Sequence, residues 1–256
     1  PKGDMSKQTG LVTDPIFLEH DTGQHPENAD RLRVILAELQ SDEIWQQLEI
    51  IPAEKAERKM IELVHKPDYI EALESQIKSG ALFVGTMDCM VSSRTFEVAE
   101  NAVGGMLALT KKVASGELKN GFGLVRPPGH HAEGDQAMGF CYFNNIAICA
   151  EYLIKHENYE RVLIVDYDVH HGNGTQHTFE SRKDVFYCSI HENPSVCYPG
   201  TGFKNEMGIG EGSKYTLNVP MKSYSGDNEY LKVLNKTFIP AWRDYRPDFV
   251  LISAGY

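Results

Sequence analysis

Apolar residues recur along the chain in two rhythms. Between 28 and 40, Leu32, Ile35, Leu36 and Leu39 keep the three-and-four spacing of one helix face. Pro67 suits the first position of a second helix, in which Ile70, Leu73 and Ile77 form a stripe. A third stretch, 96–114, aligns Val98, Ala102, Met106, Leu109 and Val113, and further helical stretches are read near 144–156 and 227–242. The other rhythm is a set of short β-branched or apolar runs at 10–12, 122–125, 162–165, 185–188, 215–219 and 249–252. Such runs alternating with helices predict an α/β chain: a single domain over 1–256, three layers α/β/α, with a mainly parallel central sheet. In sheets of that kind ligands bind beyond the carboxyl ends of the strands, so chemistry is expected in the residues that follow each run.

Composition narrows the class. The chain has 256 residues, 41% hydrophobic and 24% charged, enough to bury a sizeable core. Its mean hydropathy is −0.36, and no window approaches the roughly eighteen consecutive apolar residues of a membrane span. A net charge of −11 repels nucleic-acid phosphates and suits cationic ligands. Five cysteines (Cys89, Cys141, Cys149, Cys188 and Cys197) form an odd set without Cys-x-x-Cys spacing. They predict neither a disulfide framework nor a cysteine zinc site, and a reducing, cytoplasmic compartment follows. Residues 1–10 hold no charged segment followed by an apolar one, so no leader is read there.

The polar residues crowd at the strand ends. Asp166, Asp168 and His170 stand at i, i+2 and i+4 behind an apolar run, which in extended geometry sends all three side chains to one face. Alone, an Asp-x-His reads as a hydrogen-bonded strand end or a helix cap. The full run Asp166-Tyr-Asp168-Val-His170-His171 points instead to a divalent cation such as Zn²⁺, with Asp168 and His170 as ligands and Asp166 behind them. His130 and His131 end the stiff segment Arg126-Pro-Pro-Gly129. Two imidazoles in one pocket can divide acid and base work near neutral pH, and Asp166 and Asn173 are the available partners to fix their tautomers. Gly139-Phe140-Cys141-Tyr142 and the loop around Tyr198 add aromatic residues, with Phe140 and Tyr198 either channel walls or ordinary packing.

These motifs resemble the zinc-dependent histone deacetylase and acetylpolyamine amidohydrolase family, in its class II-like and bacterial-type branch, over nearly the whole chain from His25-Pro-Glu27 and Arg31-Leu32 to Ser253-Ala-Gly255. The resemblance implies an arginase/deacetylase-like fold and an enzyme that removes acetyl groups from acetyl-lysine side chains or acetylated polyamines. It implies Asp168 and His170 as zinc ligands, His130 and His131 as the acid/base pair, and Asp166 behind His130. Asn173 stands where some members have an Asp behind the second histidine, which implies a less basic His131. Phe140 and Tyr198 become tunnel walls, Gly139 a neighbour of the substrate amide, and Asp88 a rim acceptor. One potassium site matches Asp166, Asp168, His170, Ser189 and Ile190, and a second matches Phe179, Arg182 and Val185. Arg31 matches an arginine of an internal acetate cavity.

In the family a second zinc-ligating Asp follows the Ser-Ala-Gly-aromatic segment at once, and a Gly-Gly-Tyr loop comes later. Neither is present by Tyr256, so the third ligand is expected just beyond it and the sequence is read as part of a longer enzyme. Two other readings compete: a catalytically silent acetyl-lysine-binding module, and an arginase-like ureohydrolase. The latter needs a second metal and further aspartates where Gly172 and Asn173 stand.

Overall fold

The computed structural model describes residues 8–255; the reading of 1–7 as leader-free and the aromatic at Tyr256 lie outside the described residues. Contacts gather the chain into two units, one of 1–129 with 135–149 and one of 130–134 with 150–256.

In the first unit β1 (Thr9–Val12) is central, paired in parallel with β2 (Leu48–Ile51) and β3 (Asn120–Gly123). The connections carry α1 (Ala29–Ser41), the short α2 (Arg58–Ile61), α3 (Pro67–Lys78) and the long α4 (Thr95–Ala114). Asn28 caps α1 by accepting from the Asp30 N–H at 3.0 Å. The apolar stripe of α4 lies on the sheet, where Val98, Ala102 and Leu109 join Leu11, Val12, Leu32, Leu48 and Ile51 in one core. Gly121 makes that approach possible, because a Cβ there would stand 2.2 Å from a Leu109 methyl. α5 (Asn145–His156) begins in this unit and ends in the second.

The second unit holds β4 (Val162–Asp166), α6 (Asn173–Phe179), β5 (Val185–Glu192), β6 (Thr216–Met221), α7 (Asp227–Val233), α8 (Ile239–Tyr245) and β7 (Phe249–Ser253). Its strands pair in parallel in the order β6-β5-β4-β7. β4 is buried at every position and β5 at all but the last, as unbroken apolar runs require of central parallel strands. Leu163, Val165, Phe186, Cys188, Ile190 and Phe238 form the core beneath α7 and α8. β7 lies at the edge, with Val250 48% and Ile252 60% exposed.

The expected α/β class with parallel strand pairing holds, distributed over two hydrogen-bonded sheets. Among the strands and α-helices of the described residues, β2, α2 and α6 were not predicted. The strand expected at 122–125 lies two residues earlier, at Asn120–Gly123. The single helix expected over 227–242 is α7 and α8 joined by a π-helical turn, Leu234–Phe238. Pro240, in the first turn of α8, has no N–H to continue a regular ladder. No helix among the described residues is long and apolar enough to cross a membrane.

Candidate active site

β4 delivers Asp166, wholly buried, to the end of the second unit's sheet. The strand stops there, which corrects the extended Asp166–Asp168–His170 geometry. Asp166 Oδ1 accepts from the Asp168 N–H at 3.2 Å, and Asp168 Oδ1 accepts from the His170 N–H at 2.8 Å. Each aspartate thus bends its own backbone into a turn, and the three side chains gather through those turns rather than through strand alternation. His170 Nδ1 lies 3.1 Å from Asp168 Oδ1.

Both loop histidines belong to this unit. His130 Nδ1 lies 3.0 Å from Asp166 Oδ2, which also accepts from the Tyr187 hydroxyl at 3.2 Å. His131 Nδ1 lies 2.8 Å from Asn173 Oδ1. The two imidazole centroids are 4.0 Å apart, His131 is 6.0 Å from His170, and the Tyr198 ring stands edge-on to His131 at 5.1 Å. The histidines are enclosed at 8% and 4% exposure, whereas the side chains of Asp168 and His170 reach 21% and 40%, so this pair faces outward. Gly172 closes the back. A Cβ there would stand 2.2 Å from Asp166 Oδ2 and 3.0 Å from His130 Nδ1, so only glycine admits the His130–Asp166 contact.

The two dyads are tuned in opposite directions. Burial disfavours a charged His130, but the Asp166 charge and hydrogen bond, with Asp168 behind them, outweigh it and raise its pKa. Burial and the neighbouring His130 charge lower His131 to about 2, which the neutral amide of Asn173 does little to oppose. Burial also works against an ionised Asp168, yet the His170 hydrogen bonds and the His130 charge hold its carboxyl well below the usual range. The surroundings thus favour the charged form of His130 and the neutral form of His131.

Among the described residues no group of three His, Cys, Asp or Glu side chains is gathered to hold a metal. The donor pair fits one in part. A tetrahedral ion with arms of about 2.0–2.1 Å spaces its donors about 3.3 Å apart, and Asp168 Oδ1 and His170 Nδ1 are 3.1 Å apart. They match one edge of such a site.

The remaining candidates are distributed. Ser189 and Ile190 lie buried on β5, with Ser189 Oγ 2.7 Å from His191 Nδ1. Phe179 ends α6 and its carbonyl accepts from the Arg182 N–H at 2.9 Å, Arg182 pairs with Asp184 and Glu151, and Val185 opens β5. Asp88, Gly139 and Phe140 belong to the first unit. There Asp88 accepts from the Thr86 hydroxyl, Gly139 and Phe140 both take positive φ (57° and 68°), and the Phe140 ring stands edge-on to His25 at 4.5 Å. A non-glycine residue in that conformation is strained backbone, of a kind found at functional sites. Arg31 is exposed on α1.

Sequence reasoning missed Tyr187 and a network around Glu206. The Glu206 carboxylate accepts from the Gly202 N–H at 3.0 Å, the Phe203 N–H at 2.9 Å and Gln176 Nε2 at 2.7 Å. Gln176 Oε1 accepts from Asn218 Nδ2 at 2.6 Å and stands 2.9 Å from His171 Nε2. Gln176 lies in a largely polar helix and Asn218 in a strand of alternating burial, and neither pattern marks a buried network in the sequence.

A buried pair of imidazoles, one backed by a carboxylate and the other by an amide, beside an outward Asp–His donor pair at parallel strand ends, gives this α/β protein a site suited to acid/base chemistry. The sequence matches the histone deacetylase domain over residues 25–256. Human histone deacetylase 9 is 37% identical over 281 residues, covering 97% of this chain and 28% of that protein. A probable deacetylase of Archaeoglobus fulgidus is 36% identical over 250 residues, covering 96% of this chain and 68% of that protein. The crystal structure of the HDA15 HD domain superposes with a TM-score of 0.91 at 36% identity, covering 98% of this chain and 73% of that one. The chain belongs to the histone deacetylase family. It spans well under a third of the length of the human relative.

Proposed function

We propose that the protein is a zinc-dependent deacetylase, hydrolysing the acetyl amide of acetyl-lysine side chains or of acetylated polyamines to acetate and a free amine. The observation that carries the reading is the unequal pair His130–Asp166 and His131–Asn173, 4.0 Å apart beside Asp168 and His170. His131, held neutral, takes the proton from the attacking water. His130, held charged by Asp166, steadies the negative charge that develops on the amide oxygen and supplies the proton to the departing amine. Asp168 and His170 would be two of the protein ligands of the zinc ion, which when bound polarises the carbonyl and activates the water.

Within the same proposal, Tyr198 and Phe140 form tunnel walls, Gly139 lies near the substrate amide and Asp88 holds the substrate backbone at the rim. Potassium occupies sites at Asp166, Asp168, His170, Ser189 and Ile190, and at Phe179, Arg182 and Val185. Residues 1–256 work as one deacetylase domain. Five free cysteines, four of them buried, fit a reducing cytoplasm. The family match favours this reading over a ureohydrolase or a silent binding module.

The test is acetate release by the intact protein, supplied with Zn²⁺, from an acetyl-lysine peptide and from an acetylated diamine, together with binding of a hydroxamate. Release from either substrate is expected. No release from both and no hydroxamate binding sinks the reading, and urea formation from arginine replaces it.

A further inference from the structure

Behind His131 the hydrogen bonds run on through two more residues of the same unit. His131 Nδ1 lies 2.8 Å from Asn173 Oδ1. At the other end of that amide, Asn173 Nδ2 donates to Glu133 Oε1 and, at 3.3 Å, to the carbonyl oxygen of His131 itself. Glu133 Oε1 also stands 2.9 Å from His177 Nδ1, and this pairing raises the His177 pKa against the cost of its partial burial. Asn173 is 2% exposed, the Glu133 side chain 19% and the His177 side chain 43%, so the series runs from the enclosed imidazole toward solvent.

The order of donors along this series is fixed by chemistry. An amide side chain has an accepting end and a donating end, and its neighbours decide which way it points. A backbone carbonyl accepts in every state and an ionised carboxylate only accepts, and both face the same end of Asn173. The NH₂ group therefore lies at that end and the oxygen faces His131. Since the oxygen can only accept, His131 must carry its proton on Nδ1, and the lone pair of the neutral ring is left on Nε2.

We propose that Glu133 is a positioning residue which, acting through the Asn173 amide, locks His131 in its Nδ1–H tautomer and keeps Nε2 as the proton acceptor of the site. The use made of Nε2 rests on the deacetylase reading; the tautomer does not. A carboxylate directly behind a histidine both orients the ring and puts negative charge against it. Here the two tasks are separated: Asn173 orients His131 with a neutral group, and the charge that aligns Asn173 sits one residue further out.

The tautomer is read in the intact protein with ¹⁵N-labelled histidine, by correlating the His131 ring nitrogens with their carbon-bound protons. Nδ1–H alone is expected. Glu133→Ala leaves only the long 3.3 Å contact to the His131 carbonyl to orient the amide, and should populate both tautomers and lower kcat about 10- to 100-fold, the usual cost of losing such outer support, with KM little changed. Glu133→Gln retains an accepting oxygen and should keep the Nδ1–H tautomer. Asn173→Asp sets two carboxylates against each other and should impair turnover. Combining it with Glu133→Gln restores one donor and one acceptor in series, and should recover both the tautomer and most of kcat. His177→Ala should leave the tautomer unchanged, which separates this role from a simple ion pair. An Nε2–H ring in the unsubstituted protein, or a folded Glu133→Ala protein with the tautomer and kcat unmoved, overturns the proposal. The expected tautomer pattern without acetate release overturns the deacetylase reading alone.

Discussion

Asp166 is the residue on which most of the site converges. It accepts from the Asp168 N–H and the Tyr187 hydroxyl, and it pairs with His130, all from a position with no solvent exposure. Asp166→Asn would turn an NH₂ group toward at least one of those donors and remove the charge that raises the His130 pKa. Its kcat should fall about 100-fold, at the upper end of what loss of a supporting partner costs. Steady-state kinetics on the folded variant checks this, and a loss under threefold would show that His130 does not depend on Asp166. The sequence already marked Asp166 and the two histidines, because titratable residues packed behind an apolar run stand out. Tyr187 and Glu133 stayed hidden for a physical reason. A tyrosine within a strand reads as core, and a glutamate two residues past the His pair reads as surface, until tertiary contact gives each a partner.

Among elements, those written in apolar residues were legible and those written in polar residues were not. β4 and β5 each open on a continuous hydrophobic run, 162–165 and 185–188, and α4 repeats its apolar positions over 20 residues. In contrast α6 buries Asn173, Gly174, Thr175 and Gln176 with Phe179 as its single buried apolar side chain, so its inner face shows no hydrophobic period. Its packing is by hydrogen bonds, such as Gln176 to Glu206 at 2.7 Å. The junction of α7 and α8 lies between these cases. The apolar pattern runs through it, while Pro240 and the π-helical turn break the helix itself. Phe238 closes that turn, fully buried under α7 and α8 with its centroid 5.5 Å from the Trp242 ring. If this contact anchors the helices to the sheet, Phe238→Ala should cost about 3–5 kcal/mol, the range for emptying an aromatic core position. Chemical denaturation followed by tryptophan fluorescence measures it, and a cost under about 1 kcal/mol would place the anchor elsewhere.

Stability of the whole chain has a component set far from the strand ends, among buried polar groups that join distant parts of the first unit. Arg126 makes a two-pronged pair with Glu27 and donates to the carbonyls of Phe17 and His20 at 3.0 and 3.1 Å. His20 Nδ1 lies 2.9 Å from Thr95 Oγ1, while its Nε2 is buried without a hydrogen bond, 3.8 Å from Glu27 Oε2. Burial lowers the His20 pKa from 6.5 to about 4; the Glu27 charge favours protonation, but burial prevails, with Arg126 opposing protonation as well. Between pH 4 and 6.5 the unfolded chain then binds more protons at this histidine than the folded one. The stabilising contribution of a neutral His20 is complete above its unfolded pKa and is lost as pH falls toward 4, by roughly 3 kcal/mol over the window. His20→Gln keeps a hydrogen-bonding group beside Thr95 and removes the titration. Unfolding free energies at pH 4.5 and pH 7 should therefore draw together in the variant by about 2 kcal/mol. An unchanged difference between the two pH values would assign the acid sensitivity to the carboxylates instead.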